Sequence, residues 1–160
     1  MRIQRYFRAF SLEELCAGME LVLSGEGKTS FRTLNPQERE ALFPGYDSEC
    51  EILQLVMDYS VYQGKEKKKR QATVWVDGHQ ELVLKTRCTC QEYQKDSYGC
   101  SHTAAAWTAW YIEQEGTGFF YGSELETRLK NLARVEDPFA PGVLKRTDSR
   151  LLPYLKEDRE

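Results

Sequence analysis

The chain of 160 residues has 41% hydrophobic residues, 29% charged residues and a formal net charge of −3 at pH 7. This composition is typical of a globular protein with one modest core and excludes a chain that is disordered throughout. No apolar run approaches the roughly 20 residues that a membrane helix needs, and the N-terminus has no secretory signal pattern. We therefore expect a cytoplasmic protein with no membrane partner.

Charge is distributed unevenly along the chain. Residues 1–64 carry 6 Lys and Arg against 10 Asp and Glu, residues 65–102 carry 8 against 5, and residues 103–160 carry 8 against 10. Most of the basic excess comes from "KEKKKR", residues 65–70. Such a run is either a solvated loop tip or a functional basic patch.

Two helices are predicted in the N-terminal part. "SLEELCAGMELVLSGEG" has a capping box at Ser11 and Glu14, an apolar period of 3.6 residues and a terminating glycine. "NPQEREALFPG" places Asn35 as the N-cap and Pro36 at the first helical position, which predicts one or two helical turns.

The middle of the chain predicts strands. Residues 50–63 fit either a strand or a helix, and we favour a strand because the alternation of apolar residues extends further. "QATVWV" and "ELVLKTR" flank "DGHQ", in which Asp77-Gly78 is a strong hairpin signal and His79 is expected to be an exposed turn residue. If residues 50–63 form a third strand, the basic run lies at the tip of the hairpin that joins this strand to "QATVWV".

A helix follows in "CSHTAAAWTAWYIEQEG". Ser101 is the expected N-cap and Gly116 the expected end. The three alanines favour a helix, and Trp107, Trp110 and Tyr111 form an aromatic stripe that we expect to pack in the core.

Three of the five cysteines and one of the two histidines lie in "CTCQEYQKDSYGCSH", residues 88–102. Cys88 and Cys90 follow the last predicted strand, where two positions span roughly 6.6 Å. Their sulfurs can converge to the roughly 3.8 Å that two thiolates on one tetrahedral zinc ion require. Cys100 and His102 lie at a helix start, where backbone N–H groups favour a thiolate. Together these three cysteines and one histidine fit a structural Zn²⁺ site in which protein ligands fill all four positions.

Two other interpretations of these residues are weaker. A disulfide between Cys88 and Cys90 would close a very small strained ring and needs an oxidising compartment. A nucleophilic Cys100 with His102 as its base is disfavoured because residues i and i+2 of a helix point apart. A catalytic zinc keeps an open coordination position, whereas four protein ligands fill this one, so we expect no enzyme in these residues.

The pattern C-x-C, a gap, then C-x-H, after a hairpin and before a helix, resembles the SWIM zinc finger over roughly residues 71–115. The resemblance implies that the metal ligands are Cys88, Cys90, Cys100 and His102. The segment is similar to the N-terminal SWIM module of bacterial SWI/SNF-type helicase-like ATPases. The 160 residues contain no phosphate-binding G-x-x-x-x-G-K-[ST] loop, so any ATPase activity would lie outside them.

The predicted fold class is α+β, with N-terminal helices, a small antiparallel sheet of about three strands and a strand-strand-helix zinc finger. We divide the chain into an N-terminal helical segment (1–49), the sheet with the finger (50–122, finger core 71–115) and a C-terminal segment (123–160). The last segment has a predicted helix over 124–135 and then a Pro-containing polar run that suits a linker or a tail.

Two functions remain open. In the first, the module binds DNA with little sequence preference, or targets an associated DNA-dependent ATPase of the SWI/SNF type. In the second, the aromatic helix or the acidic N-terminal part docks on a partner protein, which the sequence pI of about 5.6 favours. Neither function involves a small-molecule substrate. The expected phosphate contacts are Lys65, Lys67, Lys68, Lys69, Arg70, Lys85, Arg87 and Lys95.

Overall fold

The computed structural model describes residues 2–47, 49–90, 99–141 and 143. They form an α+β fold, as predicted, with five α-helices, four strands and a short 3-10 helix at Gly118–Phe120. The helices are α1 (Arg2–Arg8), α2 (Leu12–Ser24), α3 (Pro36–Leu42), α4 (Ser101–Glu115) and α5 (Glu124–Ala133). The strands are β1 (Lys28–Thr33), β2 (Ile52–Gln63), β3 (Glu66–Asp77) and β4 (Leu82–Arg87).

The predicted helix starts in the N-terminal part are confirmed. At α2 the Glu14 amide donates to Ser11 Oγ at 3.2 Å, and the Ser11 amide donates to Glu14 Oε1 at 2.9 Å. Asn35 caps α3 with the same reciprocal geometry. The helix α2 ends at Gly25, whose φ of 75° is a left-handed conformation that glycine adopts without strain.

The sheet has four strands rather than about three. All neighbours are antiparallel, in the order β1-β2-β3-β4, and residues 52–63 form β2 as predicted. Sequence analysis missed β1, which pairs with β2 from Lys28 opposite Asp58 to Thr33 opposite Leu53. Five of its six residues are exposed because it is an edge strand, so the apolar alternation that reveals buried strands is absent.

One face of the sheet is covered by α4, and α2 packs on α4. The two helices approach closely, since a Cβ at Gly18 would lie 2.7 Å from the backbone nitrogen of Ala105. Trp107, Trp110 and Tyr111 are all buried in this core, which confirms that the aromatic stripe of α4 is core packing. The helix α4 is buried almost all round because the sheet lies on one side of it and α2 on another.

The first helix also packs on α4. The Tyr6 hydroxyl lies 2.7 Å from Thr108 Oγ1, and the Trp107 indole donates to the Tyr6 carbonyl at 3.1 Å. In the part of the chain that the structure describes, no helix combines the length and the apolar character needed to cross a membrane.

The opposite face of the sheet carries a smaller cluster of Leu34, Ile52 and Trp75. Beside it, the Tyr46 hydroxyl donates to Asp77 Oδ2 at 2.6 Å, and the other Asp77 oxygen accepts from the amides of His79 and Gln80. Burial and this hydrogen bond raise the pKa of Tyr46 to about 12. The Asp77-Gly78 hairpin is thereby confirmed, with four residues between the strands and His79 exposed.

Candidate metal centre and basic ribbon

Four buried side chains meet where β4 ends and α4 begins. One ligand atom from each lies within 4.8 Å of every other, and the four residues are Cys88, Cys90, Cys100 and His102. None is more than 4% exposed. Because sulfurs on a tetrahedral zinc ion are roughly 3.8 Å apart, the cluster has the size of a single zinc site.

The start of α4 differs from the prediction in one respect. Cys100 is the N-cap, not Ser101, and its backbone is extended, with φ −158° and ψ 177°. The Thr103 amide donates to Cys100 Sγ at 3.4 Å, while the Cys100 amide donates to Thr103 Oγ1 at 2.9 Å. Since Cys100 lies outside the helix, its side chain does not diverge from that of His102, and Cys100 Sγ lies 4.0 Å from His102 Nδ1.

The electrostatics of the three thiols favour a cation. Hydrogen bonds from Cys100 and Cys90 lower the pKa of Cys88, whereas the hydrogen bonds of Cys90 to Cys100 and Cys88 raise the pKa of Cys90. Burial raises the pKa of Cys100. Burial and the neighbouring thiolates thus oppose the ionisation of all three thiols together. A divalent cation allows all three to ionise, and its affinity then appears as folding free energy.

Tyr59 of β2 supports the cluster from outside. Its ring stacks on His102 with 3.6 Å between ring centroids and an interplanar angle of 7°, and its hydroxyl lies 3.2 Å from Cys88 Sγ. Burial, followed by the contact with Cys88, raises the pKa of Tyr59, so the phenol keeps its proton and can donate to a thiolate. Sequence analysis missed this residue, which was visible only as one apolar position in the alternation of β2.

The basic run is not a loop tip. Only Lys65 lies in the turn, which begins with Gly64 at φ 64°. Lys67, Lys68, Lys69 and Arg70 lie in β3, in register with β2 from Tyr62 to Tyr59. We call the paired residues 59–63 and 66–70 the basic ribbon.

The other predicted contact residues occupy different places. Lys85 and Arg87 lie exposed on β4, and Lys85 Nζ is 5.7 Å from the centre of the Trp75 ring. Lys95 and the other residues from 91 to 98 lie outside the described residues, as does most of the predicted C-terminal linker or tail.

Two open grooves flank the base of the basic ribbon. They have volumes of about 660 and 860 Å³, and Lys69 and Arg70 line both. Arg87 lines the first groove, and Lys28 lines the second. The Arg70 guanidinium also lies 3.4 Å from the carbonyl oxygen and from Oγ1 of Thr89, the residue between Cys88 and Cys90. The segment that carries Cys88 and Cys90 therefore also contacts Arg70, so the metal cluster lies directly beside the basic residues.

In a comparison with protein families, residues 72–111 match the model of the SWIM zinc finger. No curated protein and no solved structure matches the chain significantly. The matched segment runs from β3 to α4 and includes all four clustered side chains. SWIM zinc fingers are non-catalytic modules that interact with nucleic acids or proteins. Residues 72–111 thus carry a SWIM zinc finger, and Zn²⁺ is the metal that its three cysteines and one histidine fit.

Proposed function

We propose that this protein is a non-catalytic DNA-binding module with low sequence preference, working in the cytoplasm with an associated SWI/SNF-type DNA-dependent ATPase. The observation that carries the proposal is the position of the basic ribbon directly beside the zinc cluster. Five of the six residues 65–70 are cations, and the four lysines among them are exposed. Such a surface attracts phosphates through counterion release.

The zinc cluster has a defined part in this function. Cys88 and Cys90 fix the chain on either side of Thr89, whose carbonyl and hydroxyl hold the Arg70 guanidinium. Arg87 directly precedes Cys88 at the end of β4. Metal binding therefore orients two arginines that line one groove, and loss of the metal is expected to weaken DNA binding as well as the fold.

The chemistry of the site supports the proposed compartment. All five cysteines are free and buried, and the three in the cluster must stay reduced to bind zinc. A reducing compartment such as the cytoplasm provides this condition.

The alternative function is protein interaction. It is favoured by the acidic residues 1–64, with 10 carboxylates against 6 cations. Docking through the aromatic stripe of α4 is no longer a candidate, because Trp107, Trp110 and Tyr111 are at most 5% exposed. The acidic N-terminal part is the surface that remains for a partner.

The test is a salt titration of binding to labelled duplex DNA, on protein whose zinc content has been measured. We expect one zinc ion per chain and binding that weakens by orders of magnitude between about 50 and 200 mM salt. Reversing Lys67, Lys68 and Lys69 to Glu should abolish binding. The matched control reverses Arg128, Lys130 and Arg134, which lie in or directly after α5, and should leave binding intact.

Zinc-loaded protein that does not bind DNA even at low salt would refute the DNA-binding proposal and favour the alternative. Equal loss of binding in the control variant would show that net charge, rather than the basic ribbon, governs the interaction.

A further inference from the structure

We propose that the basic ribbon enters the major groove of duplex DNA with its turn first, so that its two faces contact the two phosphate backbones. This inference rests on the proposed function and specifies the form of nucleic acid and the way in which it is bound. Four features of the described strands carry it: the length of the ribbon, its anchoring, its charge and its aromatic residues.

The ribbon extends past the rest of the sheet. The pairing of β1 with β2 ends at Lys28 opposite Asp58, and that of β4 with β3 ends at Arg87 opposite Thr73. Beyond these positions, no third strand among the described residues pairs with either strand. The five pairs from Tyr59–Arg70 to Gln63–Glu66 span roughly 17 Å at the strand rise.

The base of the ribbon is anchored and its end is free. Tyr59 is fixed by its stacking on His102, Arg70 by its contacts with Thr89, and Val61 is only 6% exposed. Beyond Val61, the pairs 62–63 with 66–67 and the turn of Gly64 and Lys65 reach roughly 10 Å. The major groove is about 8.5 Å deep and about 12 Å wide, and it admits a two-stranded β-ribbon. The free end therefore reaches the floor of the groove without melting the sheet.

Charge lies on both faces of the ribbon. Successive side chains of a strand point to opposite faces. Lys67 and Lys69 share the face of Trp75, whereas Lys68 and Arg70 share the face of the buried Val74. A ribbon lying flat on a nucleic acid uses the cations of one face only. A groove with a phosphate backbone on each wall offers partners to both faces.

The aromatic residues argue against a single strand as the ligand. Modules that bind single-stranded nucleic acid stack successive bases on exposed aromatic rings. Among the described residues of β2 and β3, Tyr59 and Trp75 are at most 7% exposed, and Tyr62 at the end of the ribbon is the one exposed aromatic residue, at 66%. One ring at the end of an arm is not a stacking platform.

Neighbouring lysines on opposite faces provide the test. Lys67→Gln and Lys68→Gln remove the same charge from adjacent exposed positions, and Lys130→Gln on α5 is the control. For turn-first insertion, each ribbon variant lowers the slope of log affinity against log salt by about 0.9, because each loses one phosphate contact. The control keeps the slope of the unmodified protein. If only one face contributes, the ribbon lies flat and the inference is overturned, although DNA binding stands.

A second measurement addresses the groove directly. Duplex DNA in which every cytosine carries a glucosylated hydroxymethyl group has an obstructed major groove, and we expect it to lose binding. Netropsin, which occupies the minor groove, should leave binding unchanged. Undiminished binding to the glucosylated duplex overturns the inference alone, as does a preference for the single strand, whereas failure to bind any DNA overturns the proposed function with it.

Discussion

The Tyr59 hydroxyl provides a sharp test of the zinc site, because it can be removed without disturbing the ring that carries it. In Tyr59→Phe the stacking on His102 persists, and only the 3.2 Å contact with Cys88 Sγ is lost. With zinc bound, Cys88 would be a thiolate and the Tyr59 hydroxyl would donate to it. A hydrogen bond to a charged group contributes about 1.5–3 kcal/mol. Zinc affinity should then fall by about 10- to 150-fold, since about 1.4 kcal/mol corresponds to a factor of ten.

The assay is competition for zinc against a chromophoric chelator of known affinity, with the same buffer and pH for all variants. Tyr62→Phe is the matched control, because it removes a hydroxyl from the same strand at a position that is 66% exposed. We expect its zinc affinity to equal that of the unmodified protein. An unchanged affinity in Tyr59→Phe would refute the assignment of Tyr59 as a donor to the metal-bound thiolate.

Three further predictions follow from the fold. Gly18→Ala should lower the free energy of unfolding by about 1–3 kcal/mol in denaturant titrations, because its Cβ would overlap the backbone of α4, whereas Gly118→Ala has open space and should be neutral. The difference in absorbance at 295 nm between the unmodified protein and Tyr46→Phe should show one phenol titrating near pH 12. Because its folded pKa is raised, the stability from the Tyr46–Asp77 contact is complete below about pH 10 and is lost as the pH rises towards 12. Zinc removal by a strong chelator, or Cys100→Ser, should lower the melting temperature sharply, and unchanged melting after verified removal would contradict a structural role for the metal.

The parts of the fold that the sequence predicts correctly are those governed by local chemistry. The Ser11 and Asn35 caps depend on residues three positions apart, and their geometry matches the prediction. The zinc cluster can also be predicted from the sequence. Cys88 and Cys90 are close together in the chain, as are Cys100 and His102, and the fold is needed only to bring the two pairs into contact. Short-range patterns succeed because the chain itself brings the participating groups together.

The features that the sequence does not reveal depend on the register of the strands or on the solvent exposure of their residues. The edge strand β1 has no apolar alternation, so nothing distinguishes it from a loop until β2 is present to pair with it. Tyr59 reaches His102 across 43 positions of the sequence, a contact that exists only for one alignment of the sheet against α4. Sequence analysis predicts Ser101 as the N-cap because a hydroxyl is the usual cap, but the sulfur of Cys100 accepts the Thr103 amide here.

The register of β2 and β3 connects the zinc site to the proposed DNA contacts. It places Tyr59 opposite Arg70, so one cross-strand pair carries both the residue that stacks on the metal ligand and the cation that contacts Thr89. A slip of one residue would move both side chains to the other face, away from the cluster. The buried apolar residues of β2 and β3 set this register, and metal binding would reinforce it at its outer end, so a protein without zinc should lose its salt-dependent DNA binding before it loses its helices.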